Sequence, residues 1–376
     1  MPAPFEENAR PEPTIPSAPL PTVADVADLA GVSRQTVSNV LNAPHRVRPA
    51  TRHRVESAIA ALGYQPNQAA RALRGSASRL IGYRVEPVDT ESLGTIHDRF
   101  LHALAAAGRE VNYHLLTFAA EDVEDEVAAC SALFRTGTVD GFVLYGLQNE
   151  DRRPHHLMAL GAPFAAFGRG HESPADYFWI DVDNAAGTAA AVEHLVERGH
   201  RRIAFLGTPP GTPTSDLRAA GWRDTLDKYG LLAACHTMDL RAEDSVANGW
   251  RLCTTLLERK RPPTAFVTAT DTLAVGAWQA GRDSRLSRSH ELAVVGYDDT
   301  PTMHALGISS VRQPIEAVGR AVLRALIALL PANQAGPGRS ADAIVGEDLP
   351  GQLSLHQLLR PSLVVRASTA APAPSD

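Results

Sequence analysis

Seven short apolar runs, at residues 80–85, 111–118, 141–145, 164–167, 202–206, 264–268 and 292–297, recur along the chain, each followed by polar or small residues. Runs of this length between helical patterns are strands, and runs apolar throughout are strands buried on both faces. Their alternation with amphipathic helices predicts parallel sheets covered by helices. In open parallel sheets a ligand sits beyond the carboxyl ends of the strands, so the loops after the runs hold the candidate contacts. These are Glu86, Tyr145, Arg169, the loop reaching Arg218, Asp271 and Asp298. A guanidinium offers a fork of donors and the carboxylates accept from hydroxyls, a set that suits a polyhydroxyl ligand such as a sugar. Arg169, in the PheGlyArg segment 167–169, adds a donor. Tyr83, Tyr145 and Trp222 either stack on a sugar ring or belong to the core.

At 376 residues the chain has room for two or three folded units, and 44% hydrophobic with 21% charged residues is the composition of a globular protein. No uncharged apolar stretch reaches the roughly 18 residues of a membrane span, and Glu6 and Glu7 stand where a signal peptide carries basic residues. Cys130, Cys235 and Cys253 are odd in number and lack CxxC spacing, so neither a disulfide frame nor a zinc site is implied. A reducing cytoplasm is the expected compartment. The GTPPGT segment at 207–212 lacks the Gly-Lys-Ser/Thr ending of a phosphate loop. His155, His156 and Met158, or His171 and Glu172, lack the HExxH spacing of a metal site, and no GxSxG elbow marks a nucleophile. No cofactor, metal or catalytic residue is expected.

Charge is unevenly spread. Thr22 to Leu80 holds eight arginines against Asp25, Asp28 and Glu56, a net of +5 on a chain whose total is -6. A basic module joined to an acidic body suits contact with a polyanion through the first part. Ahead of it, residues 1–21 contain seven prolines and little to bury, and are expected to be a disordered leader. Thr22 caps a first helix burying Val23, Val26, Ala27 and Ala30, which Gly31 breaks. Ser33 caps a second, with Val37, Val40 and Leu41 inward and Arg34, Gln35 and Ser38 outward. Pro49 opens a third helix, where Val55, Ala58, Ile59 and Leu62 recur up to Gly63. Two helices joined by a short Gly-containing turn make a helix-turn-helix whose second helix fits a major groove. Further on, Pro66 stops the third helix and Asn67 can cap another. Its face of small residues, including Ala70, allows two copies to pair closely, with Leu73 as a wedge in the minor groove and Arg71 and Arg74 near phosphate. An ordinary linker helix is the alternative.

The run TVADVADLAGVSRQTVSNVLN at 22–42, with RVRPATRHRVESAIAALGYQPNQAARALR at 46–74, resembles the DNA-binding headpiece of the LacI family of bacterial repressors. The resemblance implies that Thr22 and Ser33 anchor phosphates, that Arg34 and Gln35 read bases, and that Thr36, Ser38 and Asn39 lie along the recognition helix. Many relatives carry Arg at the position of Asn39, which leaves the half-site open, since Arg favours guanine and Asn adenine. The segments DVDNAAGTAAAVEHLVERGHRRIAFLG (181–207), DLRAAGW (216–222), VVGYDDT (294–300) and LLRPSLVVRAST (358–369) resemble that family's periplasmic-binding-protein-like sensor domain. By that resemblance Arg218 and Asp298 contact the effector and Asp271 follows a strand whose loop lines the cleft. Thr270 stands where relatives usually have Asn.

The implied fold class is an α-helical helix-turn-helix headpiece and hinge helix followed by an α/β type I sensor domain of two parallel-sheet subdomains. The expected boundaries are 22–66 for the headpiece, 67–79 for the hinge and linker, and 80–366 for the sensor, with 367–376 a disordered tail. Within the sensor, one subdomain takes 80–180 with 311–342 and the other 181–310 with 343–366. The implied function is a transcriptional regulator of carbohydrate genes, a homodimer on operator DNA whose affinity a small-molecule effector changes. It is not expected to be an enzyme. The competing reading of the large domain alone is a cytoplasmic α/β protein binding, or acting on, sugars or nucleotides.

Overall fold

The computed structural model describes residues 21–64, 77–85, 96–170, 177–283, 292–331 and 355–369. Contacts divide the chain at Gly75 into two units.

The first unit is built from α1 (Val23–Ala30), α2 (Arg34–Asn42) and α3 (Pro49–Leu62). Each boundary has a local cause. At α1, Thr22 and Asp25 form a reciprocal capping box, the Thr22 amide donating to the Asp25 carboxylate at 2.7 Å. Gly31 then takes the left-handed conformation (φ 63°) that ends the helix. The Ser33 hydroxyl accepts from the Thr36 amide at 3.1 Å, and Pro49 sits in the first turn of α3. Val26, Ala27, Ala30, Val37, Val40, Val55, Ala58 and Tyr64 close the small core. The three expected helices and their inward faces are all present.

The second unit contains two six-stranded sheets. In chain order its elements are β1 (Leu80–Arg84), α4 (Ile96–Glu110), β2 (His114–Phe118), α5 (Val123–Arg135), β3 (Gly141–Tyr145), α6 (Arg152–Leu160), β4 (Phe164–Phe167), β5 (Phe178–Val182), α7 (Asn184–Glu197), β6 (Ile203–Gly207), α8 (Pro213–Lys228), α9 (Leu232–Cys235), β7 (Asp239–Arg241), α10 (Val246–Leu257), β8 (Ala265–Thr268), α11 (Asp271–Arg282), β9 (Ala293–Tyr297), α12 (Pro301–Leu306), β10 (Ser309–Arg312), α13 (Ile315–Leu329), β11 (His356–Leu359) and β12 (Ser362–Val364). The first sheet has the order β11-β5-β4-β3-β1-β2, all parallel. The second has the order β12-β10-β9-β8-β6-β7, parallel except for β12 against β10.

The seven apolar runs are all strands, but five more complete the sheets. β10 reads Ser-Ser-Val-Arg and is three-quarters polar, so its burial comes from the layers around it and not from its composition. β7 is a three-residue edge strand, and β5 carries Asp181 within its apolar run. The expected subdomain boundary at 343–366 is also corrected. His356–Leu359 pairs with β5 in the first sheet, and only Ser362–Val364 joins the second. The chain thus passes between sheets after β5, after β10 and between β11 and β12, placing both sets of strand carboxyl ends at one cleft.

Helix packing on the sheets depends on close approaches. At α10 against α11, a methyl group on Gly276 would run into the Val246 carbonyl oxygen and the Trp250 amide nitrogen, both rigid backbone. Gly276→Ala is therefore expected to destabilise the second unit by about 1–3 kcal/mol, read as a lower midpoint in thermal or urea unfolding of the full chain.

Candidate nucleic-acid interface and ligand cleft

In the first unit, α2 exposes Arg34 and Gln35 to solvent while burying Val37 and Val40. Gln35 Nε2 donates to Asn39 Oδ1 at 3.1 Å, one turn along, and the Ser33 and Thr36 hydroxyls lie 2.9 Å apart. Each bond ties two of the polar residues of α2 and its cap together, and with Arg34 they make a polar strip. The Asp25 carboxyl, held below the ordinary range by the Thr22 backbone and side-chain hydrogen bonds, is committed to capping. Arg46, Arg48, Arg52 and Arg54 are exposed, with Arg52 paired to Glu56 at 3.5 Å. Such a strip flanked by guanidinium groups can contact base edges and phosphates together. The hinge candidates Asn67, Ala70, Arg71, Leu73 and Arg74 lie outside the described residues, as does Glu86 in the second unit.

The cleft of the second unit is organised around Arg218, which reaches from α8 and is 5% exposed. Its guanidinium lies over the Tyr297 ring, Cζ 3.6 Å from the centroid. Nε donates to Asn184 Oδ1 at 2.8 Å, Nη1 donates to the Ala269 carbonyl, and Nη2 is 3.7 Å from Asp298 Oδ1. Asn184 stands at the start of α7, where its Nδ2 donates to the Val182 carbonyl at 3.0 Å. Asp298 accepts from Gln313 Nε2 at 2.6 Å and has a left-handed backbone (φ 116°), a conformation that costs a residue with a Cβ. Arg218 and Asp298 are thus brought together. Asp271 lies behind them. It is 2% exposed, and its oxygens accept from the Ser310 hydroxyl at 2.6 Å and the Thr300 amide at 2.7 Å. With both oxygens occupied, Asp271 acts as a buttress of the Asp298 loop.

Arg169 and Tyr145 occupy the rim of the first sheet. Arg169 Nε is 3.5 Å from Asp181 Oδ2, and its guanidinium covers the Trp179 ring. Tyr145 packs against Phe100 and Phe167, while its carbonyl accepts from buried Arg153 at 3.1 Å. Arg153 also bonds Glu126 and Asp151, fixing the end of β3. Tyr83 and Trp222 are core residues and not ring-stacking platforms at the surface. Each is 1% exposed, and the Trp222 indole donates to the Ile203 carbonyl at 3.2 Å. Across the cleft mouth, Asn149 Nδ2 donates to the Gly211 carbonyl at 3.3 Å.

Burial raises three carboxyls here. Asp181 is pushed up to about 6, with the Val182 amide, Arg169 and Arg218 opposing its desolvation. Asp271 and Asp298 both lie above the ordinary carboxylate range, in each case chiefly through desolvation. The Asp298 charge adds to the rise at Asp271, while Arg218 opposes that at Asp298. Guanidinium donors of Arg218 and Arg169 thus lie beside the carboxyls of Asp298 and Asp181, a donor and acceptor array suited to hydroxyl groups. Asn184, Asp181, Tyr297 and Gln313 escaped the sequence reading. Only the DVDN motif offered a signal for the first two, and the strand before it was not recognised. Among the described residues no group of three or more His, Cys, Asp or Glu side chains could hold a metal ion, and no helix is long and apolar enough to cross a membrane.

A family model described as "Bacterial regulatory proteins, lacI family" matches residues 22–67, and one described as "Periplasmic binding protein-like domain" matches residues 192–369. The HTH-type transcriptional regulator AglR of Rhizobium meliloti (strain 1021) is 32% identical over 358 residues, 93% of this chain and 94% of that protein. Among solved structures, the lac repressor dimer bound to operator and the anti-inducer ONPF matches with a TM-score of 0.74 at 28% identity, covering 93% of this chain and 99% of that one. The complex of the transcriptional regulator CelR with cellobiose matches with a TM-score of 0.64 at 28% identity and the same coverage.

The buried carboxyl of Asp271 makes stability depend on pH. Its folded-state affinity for protons exceeds that of the unfolded chain, so the folded state binds more protons above the ordinary carboxylate range near pH 4. Stability contributed by this group is present at low pH and is lost as pH rises. Asp271→Asn, which keeps one acceptor oxygen, is expected to flatten the decline in urea-unfolding free energy between about pH 5 and pH 8. An unchanged slope would contradict the assignment.

Proposed function

Because the chain belongs to the LacI family of bacterial regulatory proteins, we propose that it represses genes of carbohydrate uptake or catabolism, binding operator DNA through α2 and a sugar through the Arg218 cleft. The observation that carries this reading is the presence, in one chain, of a capped helix exposing Arg34 and Gln35 and a two-sheet cleft with Arg218 and Asp298 at its centre. Operator binding by the lac repressor dimer and cellobiose binding by CelR support it.

In this proposal residues 22–66 are the headpiece, 67–79 the hinge and 80–366 the sensor. Two copies place their α2 helices on a pseudo-palindromic operator, and the paired hinges enter the minor groove with Leu73 as wedge. Thr22 and Ser33 hold phosphates while Arg34, Gln35, Thr36, Ser38 and Asn39 face the bases. In the cleft, Arg218 Nη2 and Asp298 meet neighbouring sugar hydroxyls, with Arg169 and Tyr145 at the opposite wall. Ligand occupancy changes the relation of the two sheets and with it the hinge spacing, so effector and operator affinities are coupled reciprocally.

Fluorescence anisotropy of the full chain on its own promoter fragment tests the DNA half. Arg34→Ala is expected to weaken specific binding about 10- to 100-fold, while binding to random duplex changes far less. Wild-type affinity should fall steeply with added salt. Equal losses on specific and random duplex would reduce Arg34 to a phosphate contact.

A further inference from the structure

The Asp298 loop is gripped from the opposite half of the cleft by a residue outside the ligand set. Arg99 lies in the first turn of α4, a helix packed on the first sheet through Phe100 and Leu104. Its Nη1 donates to the Asp298 carbonyl at 3.1 Å, and its Nη2 lies 3.3 Å from Glu316 Oε1 at the start of α13. Asp298 follows β9 of the second sheet, 199 residues further along the chain. Its left-handed backbone is one that surrounding contacts must maintain. Those contacts include the Asp298 amide donating to the Val311 carbonyl of β10 at 2.8 Å, Gln313 on the carboxylate at the β10–α13 crossover, Arg218 on the same oxygen, and Arg99, from the opposite half, on the carbonyl. Arg312 and Arg366 clamp the neighbouring Asp299 at 2.6 Å each, fixing the other side of the turn to the second sheet.

Resting on the reading of this cleft as the effector site, we propose that Arg99 is a positioning residue: a latch that holds the two halves closed and sets the Asp298 carboxylate through its own peptide carbonyl. Opening the cleft withdraws α4 from β9, so the Arg99 bond exists only when the halves approach. The bond therefore ties the orientation of the sugar-facing carboxylate to closure. Glu316 steers the guanidinium and is itself clear of the cleft, its side chain 63% exposed. A second direct hydrogen bond across the cleft, from Asn149 Nδ2 to the Gly211 carbonyl, lies at the mouth and away from the Asp298 turn.

Spin labels on the full-length, ligand-free chain test this directly. Cys130, Cys235 and Cys253 are buried, so labels go to exposed positions introduced as E124C on α5 and D227C on α8. With Arg99 intact, pulsed dipolar spectroscopy is expected to give one dominant short distance. In Arg99→Gln the ratio of closed to open populations should fall about tenfold, and amide exchange at Asp298–Thr300 should rise, with the melting temperature little changed. Glu316→Gln, which leaves the Asp298 contact available, should shift the populations in the same direction by less. Distance distributions in both variants identical to the parent would overturn the proposal. Should Arg99→Gln fail to fold, Glu316→Gln decides alone. Neither DNA nor sugar enters the measurement, so its failure would remove the latch without touching the operator and effector reading.

Discussion

A guanidinium taken out of water must find partners for its charge and its donors or the fold loses more than the side chain contributes. Arg218 meets that demand with an aromatic face, an amide oxygen, a backbone carbonyl and a carboxylate, drawn from β9, α7, the β8 loop and the Asp298 turn. Four segments of the second unit are thereby held in one register at the carboxyl ends of its strands. The same arrangement limits what Arg218 offers a ligand. Nε and one Nη are committed internally, which leaves Nη2 beside Asp298 as the reactive pair. A hydroxyl can donate to one and accept from the other, whereas a bidentate anion would face a fork already occupied and a carboxylate next to it.

That pair is held in a cleft whose two walls belong to different sheets. Three passages of the chain join the two sheets, and the Asp298 turn lies where residues of both halves meet. Its left-handed backbone, its carboxyl and its contacts from both halves converge in that turn. Asp271 carries the cost of this arrangement. It is desolvated beside a second carboxyl, and its oxygens hold Ser310 and Thr300 in support of the turn.

Much of the fold was legible because its causes are local. Thr22, Gly31, Ser33 and Pro49 act within a turn of the helices they bound, and the apolar runs act through the residues next to them. Strands such as β10 escaped because Ser309 and Ser310 are buried by packing that their own composition does not encode. The site divides along the same line. Arg218, Asp298 and Asn184 stand in motifs, but Gln313 and Arg99 meet Asp298 at separations of 15 and 199 residues, and no spacing rule connects them. Tyr83 and Trp222 show the complementary case, in which the sequence leaves two readings open. An aromatic residue looks the same in sequence whether it faces a sugar or a core, and here burial decides.

The central claim is that occupancy of the Arg218 cleft alters the grip of α2 on DNA. The direct measurement titrates the full chain against its own promoter fragment, with random duplex as competitor, in the presence and absence of cellobiose, lactose, melibiose and raffinose at millimolar concentration. The account predicts that at least one of these sugars changes promoter affinity by a factor of roughly 5 to 150, the usual range for coupled sites, and that Arg218→Ala abolishes the change. Promoter affinity no better than that for random duplex, or a sugar response that survives in Arg218→Ala, would contradict it.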